Sequence, residues 1–573
     1  MALPSRLVWQ PLVVSILVGL VIGGSIVPSS ALAPGPGEGA GSQQAKQILS
    51  CTTISEPGYY VVQSNITNRS EDSCIRIEAS DVTLDANGRT ISGVQNETLL
   101  EPFRNATNAT TVNPTMPDWV NHGVVVGETT QVSNVTISNL IVTDWTYGVA
   151  FLNVTRGTVR DVTAERNGNG IAFFQSTESA VSGSTAANNT AGIVLQRVED
   201  TSILKSVVEN NSEEVVFTGW TPENNAAGIV VQNAQNVTVA ESRAANNSAG
   251  VTLYRTTDST VTENTLYQNT NDGIKLLDTT GVTVSENDVR NTTTYDGIQL
   301  RNSSENEVSR NIVRFNSLSG ISATDGSENN TIGDNHLVQN GLNGILVFLN
   351  STNNTVTENY AFENAHSGIA LVDGADENEL TGNVIENTTG GDPFSTQAGY
   401  TAGIVINQSS NNLIVDTVTR NNIGWAFYSV DNASQNAVRN FTIARTTRLN
   451  TTSPTGKNFT WVDLTETVSF VSRDVGVDIN ISESLTDPEY GESGLIEPDW
   501  EPARIGPYLR VTQTSEDGRI ADLSLEWELR PVPTENTMAP SNTTTVNETD
   551  SHLRNTIQNP NVIISPRVAE RQS

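Results

Sequence analysis

Asp272 and Asp296 each stand directly before a glycine, 24 residues apart. Lys275 lies two residues past the first glycine, and Arg301 lies four past the second. If the two glycines hold equivalent places in a repeat, the carboxylates stack about 4.8 Å apart, the spacing of neighbouring strands. Two carboxylates that close repel unless a cation or a base neutralises them. Acidic side chains holding Ca²⁺, with Lys275 or Arg301 as base beside a uronate, would give polysaccharide lyase or epimerase chemistry. A lysine needs a lowered pKa for that role, and an arginine needs an unusual setting. Ca²⁺ also asks for six or more oxygens, and this cluster offers two carboxylates. Asp is a common turn residue as well, so a structural cluster is the competing expectation.

A second group of candidates is aromatic. Four residues past successive glycines stand Phe174, Gln196, Gln232, Tyr254, Leu277, Arg301, Thr324, Phe348, Val372, Asn407 and Tyr428. Phe174, Tyr254, Phe348 and Tyr428 on one stacked face would suit sugar rings, which present apolar faces and hydroxyl edges. Two longer inter-glycine segments carry Phe217 with Trp220, and Phe394 with Tyr400. They would bracket a trough about seven coils, or ~34 Å, long. The competing expectation is that these loops simply pack over apolar residues on that face.

Both groups depend on a repeat to position them. Glycines followed by a β-branched or aromatic residue recur at 123, 148, 170, 192, 228, 250, 273, 297, 320, 344, 368, 403 and 424. Ten of the twelve gaps fall between 21 and 25 residues, and the other two carry an insertion. A fixed period near 23 marks a solenoid. After each glycine the residues alternate, as in Ile274-Lys275-Leu276 and Ile298-Gln299-Leu300, which predicts a strand. A second strand precedes an Asn that recurs at 264, 287, 311, 335, 359 and 383. A second Asn series includes 269, 316, 340 and 364. Such Asn side chains should stack as internal ladders, tolerating a left-handed corner and satisfying buried backbone groups. Three short strands per turn describe an all-β, right-handed parallel β-helix of about 13–14 coils. A leucine-rich repeat shares the period but lacks its L-x-x-L-x-L frame here.

The opening coil is more specific. Asp81-Val82-Thr83-Leu84-Asp85-Ala86-Asn87-Gly88-Arg89-Thr90-Ile91-Ser92-Gly93 resembles the entry motif of NosD-like β-helix proteins, also called carbohydrate-binding and sugar-hydrolase β-helix repeats. Ala86 and Arg89 depart from the usual Gly and His of that motif. The preceding Cys51, Pro57-Gly58-Tyr59-Tyr60 and Cys74-Ile75 are similar to haloarchaeal members of the group. The resemblance covers roughly 51–440 and implies the pectin-lyase-like fold, not an activity, because this fold hosts lyases, hydrolases, epimerases and inert surface proteins. The NosD name implies copper delivery, but His122, His336, His366 and His552 are scattered and form no copper constellation. Asp392-Pro393-Phe394 places Phe where alginate epimerases carry His, and no polygalacturonase-type Asp-Asp with a following His-Gly occurs.

Composition bounds the partners. The 573 residues hold 31 Lys+Arg against 64 Asp+Glu, a formal charge of −33. Nucleic acid is excluded as a partner because phosphate binding needs clustered cations. Only Lys46, Lys205, Lys275 and Lys457 are lysines. Excess carboxylate with scarce Lys resembles proteins of extreme halophiles, in which net charge maintains solubility when salt screens repulsion. A generic acidic secreted protein is the alternative. An apolar run from Leu12 to Val27 ahead of Ala31-Leu32-Ala33 reads as a signal peptide at 1–33, with no stable membrane insertion after cleavage. An uncleaved anchor is the alternative, although 16 residues fall short of the ~20 a spanning helix needs. Abundant Asn-x-Ser/Thr sequons, among them Asn134, Asn236, Asn329, Asn353 and Asn440, fit an exported glycoprotein. In an oxidising compartment Cys51 and Cys74 pair; otherwise they are two buried thiols.

The expected organisation is a linker at 34–50, a β-helix at 51–440, a small β domain or cap at 441–532 and a disordered tail at 533–573. Insertions fall near 94–122, 211–223 and 388–401. The expected function is an extracellular or cell-surface β-helix that binds a glycan or envelope polymer without catalysis, with no certain cofactor and Ca²⁺ as an option. The alternatives are a Ca²⁺-dependent lyase or epimerase and a structural envelope glycoprotein. An acidic groove would repel polyuronate, which favours neutral glycans.

Overall fold

The computed structural model describes residues 45–94, 121–211, 227–389 and 401–443 except 431, 432, 434 and 440, together with the backbone of short strands beyond 443. The expected signal peptide, most of the 34–50 linker, and the bulk of the three insertions, including Trp220, lie outside the described residues. Among the described residues every regular element is a strand.

One coil shows the plan. Ala249–Tyr254 forms the glycine-led strand, Thr260–Thr262 the second and Thr265–Tyr267 the third. Each pairs in parallel with its counterpart one coil on: Val251 faces Ile274, Val261 faces Val284 and Leu266 faces Val289. Repetition of this register builds three parallel ladders. Parallel ladders are stable where both faces are shielded and side chains alternate in and out. The inward residues, such as Val251, Leu253, Val261 and Leu266, join one continuous apolar core running the length of the solenoid.

The marker glycines sit where coils approach most closely. A Cβ on Gly250 would lie 2.4 Å from the carbonyl oxygen of Gly273, and one on Gly273 2.7 Å from that of Gly297. Any side chain there would push the ladder apart, so the period in the sequence is a packing constraint.

The corners carry stacked Asn. Asn311 is fully buried. Its Nδ2 donates to the Val284 carbonyl at 2.9 Å and to Asn335 Oδ1 at 3.0 Å. Its own Oδ1 accepts from the Asn287 backbone N–H at 3.0 Å and from Asn287 Nδ2 at 3.0 Å. The ladder of Asn264, Asn287, Asn311, Asn335, Asn359 and Asn383 is therefore present, as is that of Asn316, Asn340 and Asn364. A third ladder, which the sequence reading did not identify, runs through Asn306, Asn330, Asn354, Asn378, Asn412 and Asn436. One expectation is corrected. The ladder Asn are not the left-handed residues. That conformation falls on the residue just before each, such as Arg310 (φ 55), Phe315 (φ 57), Asp334 (φ 56) and Glu358 (φ 54). The preceding side chain points to solvent, which frees the Asn amide to bridge coils.

The solenoid also exceeds its expected bounds. Lys46–Ile48 already pairs with residues 60–62. Past 440, Arg448–Asn450, Val462–Thr465 and Ser469–Val471 continue the parallel ladders. Tyr508–Val511 then pairs antiparallel with the 462–465 strand. Leu523–Pro531, Asn542–Asn547 and Val562–Glu570 form a separate antiparallel sheet. Two of those strands fall in the stretch whose composition predicts a disordered tail. Their β-branched runs, Thr543-Thr544-Thr545-Val546 and Val562-Ile563-Ile564, favour strand locally. Cys51 and Cys74 form a disulfide, with Cα atoms 4.4 Å apart, tying together the first two glycine-side strands.

Candidate functional site

The outward side of the glycine-led ladder is defined by two columns. One holds the residue before the marker, and the other the residue two past it. Val125, Ala150, Ala172, Val194 and Val230 in the second column, with Tyr147, Ala227 and Ala249 in the first, form an apolar cluster separate from the interior core. Ala370, Ala402 and Val405 form a similar cluster, with Leu346, further along. Between them the chemistry changes. The second column reads Thr252, Lys275, Gln299 and Ser322 in four consecutive coils. The first reads Asp272, Asp296 and Ser319. A polar stretch, or window, thus interrupts the second column, while the first column carries polar residues on both sides of it as well, His122 and Asn169 before and Asn343 and Ser367 after.

The window is tightly wired. Asp296 is buried; its Oδ1 accepts the Ser319 backbone N–H at 2.8 Å, and its Oδ2 accepts the Ser322 hydroxyl at 2.7 Å. Gln299 Nε2 approaches Asp296 Oδ2 at 3.5 Å. The Asp296 backbone N–H donates to Asp272 Oδ1 at 3.3 Å. Lys275 Nζ lies 3.9 Å from Asp272 Oδ2, close enough for attraction but beyond hydrogen-bond length. The Asp272 side chain is 3% exposed and that of Lys275 19%. Tyr295, the residue before Asp296, is 45% exposed and stands at the rim. Two hydroxyl oxygens within the window, Thr252 Oγ1 and Ser319 Oγ, are buried without a hydrogen-bond partner.

Burial raises both carboxyl pKa values, because the charged form loses its water. Asp272 is pushed up to about 7, first by burial and then by the neighbouring Asp296 charge, with Lys275 opposing. Asp296 is raised by burial, against the pull of Ser322 and Ser319. Carboxyls perturbed this way concentrate at functional sites, although structural networks shift them too.

The candidates from sequence divide accordingly. Asp272, Lys275 and Asp296 do come together. Arg301 sits at the far end of its strand, its Nε on Asp325 at 2.6 Å. Phe174 is buried in the apolar cluster, edge-on to Tyr147. Tyr254 is half-buried, with the Arg255 guanidinium 4.7 Å from its ring centroid. Phe348 is half-buried two coils past Arg301, in the same column. Tyr428 belongs to another column. Register pairs it with Val405, and Ala426, not Gly424, stands opposite Gly403. Gly424 is a corner residue (φ 98), and the repeat runs instead from Gly403 to Ala426. Thr252, Tyr295, Gln299, Ser319 and Ser322 were missed. They lie in columns −1 and +2 or beside them, whereas the aromatic residues that share a spacing from the glycines lie in column +4.

Metal ions fit poorly. Among the described residues no three His, Cys, Asp or Glu side chains gather closely enough to hold one. In the window, Lys275 stands where a cation would, and both Asp296 oxygens are taken.

A parallel solenoid with a marker glycine, three short strands per coil and polar corner ladders defines a right-handed β-helix protein. The family model described as right handed beta helix region matches residues 207–361. That of the periplasmic copper-binding protein NosD matches 67–218. The chain is a NosD-like right-handed β-helix protein. The copper of that family's name finds no fit among the described residues. Both cysteines are in the disulfide, and His122, His336 and His366 belong to different coils. No curated protein matches the sequence. Among solved structures, a double mutant of the periplasmic alginate epimerase AlgG is 15% identical, covering 64% of this chain and 84% of its own at a TM-score of 0.38. The A-module of the Azotobacter vinelandii mannuronan C-5 epimerase AlgE4 is 13% identical, covering 66% and 90% at 0.31. The Dettilon tailspike protein is 16% identical, covering 55% and 61% at 0.31. Likeness at this level carries nothing about activity.

Proposed function

We propose that the protein is exported and binds a glycan or envelope polymer across the polar window of the glycine-led face. One observation carries this reading: the column two past the marker glycine, apolar on both sides, turns polar over four coils from Thr252 to Ser322, with the exposed Tyr295 nearby in sequence. An aromatic ring beside hydrogen-bonding groups suits a sugar, whose ring has an apolar face and whose edge is all hydroxyl. A neutral glycan carries no charge for the buried carboxyls to repel. The name of the matched NosD model, a periplasmic protein, agrees with export, as do the disulfide and the apolar N-terminal run.

A glycan-array screen at high salt tests this, followed by calorimetry on the hits. Tyr295→Ala should weaken binding by about tenfold, the worth of one stacked ring. Lys275→Ala should weaken it further. Unchanged affinity in both variants would refute the placement of the site.

The buried carboxyl pair favours a second reading, acid–base turnover of a polysaccharide as in a lyase or epimerase. Unsaturated products absorbing at 235 nm, lost in Asp296→Ala, would establish the lyase reading.

A further inference from the structure

We propose that the corners of the solenoid are N-glycan acceptor sites. An exposed Asn in the left-handed conformation, a buried rung and an outward Ser or Thr together form each Asn-x-Ser/Thr sequon, and the sugars stand in rows that border the glycine-led face. This goes beyond the binding reading above and rests on one part of it, export, because such sugars belong to the surface of secreted chains.

Among the described residues, every Asn that opens a sequon holds a positive φ, except Asn65 and Asn407. These left-handed Asn are exposed, apart from Asn387, which is half-buried. Asn291 shows the plan. It is exposed at φ 57, Thr292 behind it is buried, and Thr293 is exposed again. A sugar on such a corner side chain projects to solvent and leaves the core and the ladders untouched. By contrast, none of the buried Asn opens a sequon. The residue two past a ladder Asn is an inward one, such as Leu266 after Asn264 or Val313 after Asn311, so strand alternation itself keeps sequons out of the interior.

Asn is favoured among non-glycine residues in the left-handed region, so steric preference alone would spread sequons over every corner. One corner has none. Between the second and third strands the backbone takes the same conformation, and Thr163, Thr185 and Thr265 stand two residues past it. Yet the residues at that corner are Asp161, Gly183 and Glu263. Its two Asn, Asn87 and Asn139, are followed at that distance by Arg89 and Ile141. The acceptors fall instead on either side of the glycine-led strand, as at Asn188, Asn246 and Asn291 before it and Asn153, Asn302 and Asn350 after it. A third row, with Asn236 and Asn353, stands near the start of the second strand.

The amide chemistry fits. Asn302 Nδ2 donates to Asp278 Oδ1 at 2.7 Å, and Asn134 Nδ2 to Asp81 Oδ1 at 2.7 Å. An amide nitrogen carries two hydrogens, so a sugar can replace one while the other keeps this bond. In the transfer, Nδ2 bonds to the anomeric carbon of a saccharide carried on a lipid phosphate. The bond from that carbon to the phosphate oxygen breaks, the phosphate leaves with its electron pair, and one amide hydrogen leaves as a proton. Acceptors one coil apart in a row, about 4.8 Å, crowd one another. Asn134, Asn291 and Asn302 have no sequon Asn in the next coil of their rows, so these three should be the most fully occupied.

The test is glycopeptide mass spectrometry on the full-length protein collected outside the cells of its source organism. The same chain made in a bacterial cytoplasm without N-glycosylation is the control. Peptides containing Asn134, Asn291 and Asn302 should carry saccharide mass, placed on the Asn by electron-transfer fragmentation. Those containing Asn139 or Asn311 alone should carry none. Thr293→Ala should abolish the modification at Asn291, and Thr293→Ser should retain it, both at an exposed position that the fold tolerates. Unmodified Asn134, Asn291 and Asn302 in the exported protein overturn the proposal and leave export standing. Sugar that persists on Asn291 in Thr293→Ala, or that appears on a ladder Asn, overturns it as well. A chain retained in the cytoplasm with its N-terminal segment uncut refutes export, and this inference falls with it.

Discussion

Asn311→Ala isolates what one rung of the corner ladder contributes. Truncation removes the acceptor of the Asn287 N–H and the donor to the Val284 carbonyl, both in a fully buried corner. An orphaned buried polar group costs about 1–3 kcal/mol. Two such groups, together with the small void left by the amide, give a loss of about 4 kcal/mol. In a solenoid this loss acts locally, because each coil contacts only its neighbours. Hydrogen exchange read by mass spectrometry is therefore the suitable assay. The peptides spanning 283–290 and 307–314 should lose roughly a thousandfold of their protection, up to the limit set by global opening. Coils more than two away should be unaffected. Thr270→Ala, at an exposed turn, should change protection by less than about 0.5 kcal/mol. A loss below about 1 kcal/mol in Asn311→Ala would show that water or a relaxed backbone replaces the amide, and that the ladder does not hold the coils together.

Further predictions concern other parts of the chain. Reducing the Cys51–Cys74 bond, or replacing both cysteines by Ala, should destabilise the N-terminal coils by about 3 kcal/mol, the entropy of a loop of this length, and urea titration of that region would show it. Phe315→Gly should stabilise by about 1 kcal/mol, since Phe315 holds φ 57 and is 46% exposed, and a rise in thermal midpoint would register the gain. Asp272 is raised when folded, so the folded state binds more protons than the unfolded between about pH 4 and 7. Its contribution to stability should accordingly fall as pH rises through that window and level off above it, and Asp272→Asn should remove that slope from the difference in midpoint between the two proteins.

The fold was legible because its grammar is steric. Marker glycines recur where a Cβ would strike the next coil, so the period survives in the sequence. The Asn of two ladders were visible by spacing alone. The third ladder was hidden because its early rungs are Ser, Thr and Val; Ser179 and Ser259 accept backbone N–H groups as the later Asn do, while Val237 and Val282 do not. The site was half legible. Asp272, Lys275 and Asp296 are charged and periodic, but Gln299, Ser319 and Ser322 are ordinary in a chain rich in Gln and Ser. Only the register reveals that they share a face with the acids. Tyr428 shows the converse error: a glycine read as a marker by spacing was a corner, and the column slipped by two residues.

The left-handed corner has a consequence beyond geometry. At each turn two neighbouring residues divide the work. One, buried, is most often Asn or a small hydroxyl residue, with Val in some coils such as Val237 and Val282. The other, outside, is Arg310, Phe315, Asp334, Gln339 or Glu358, with scarcely any restriction on its chemistry. Three such free positions per coil, along the whole solenoid, amount to a surface that can be rewritten without touching the frame. The −33 charge of the chain can be raised or lowered there one substitution at a time while the architecture stays still.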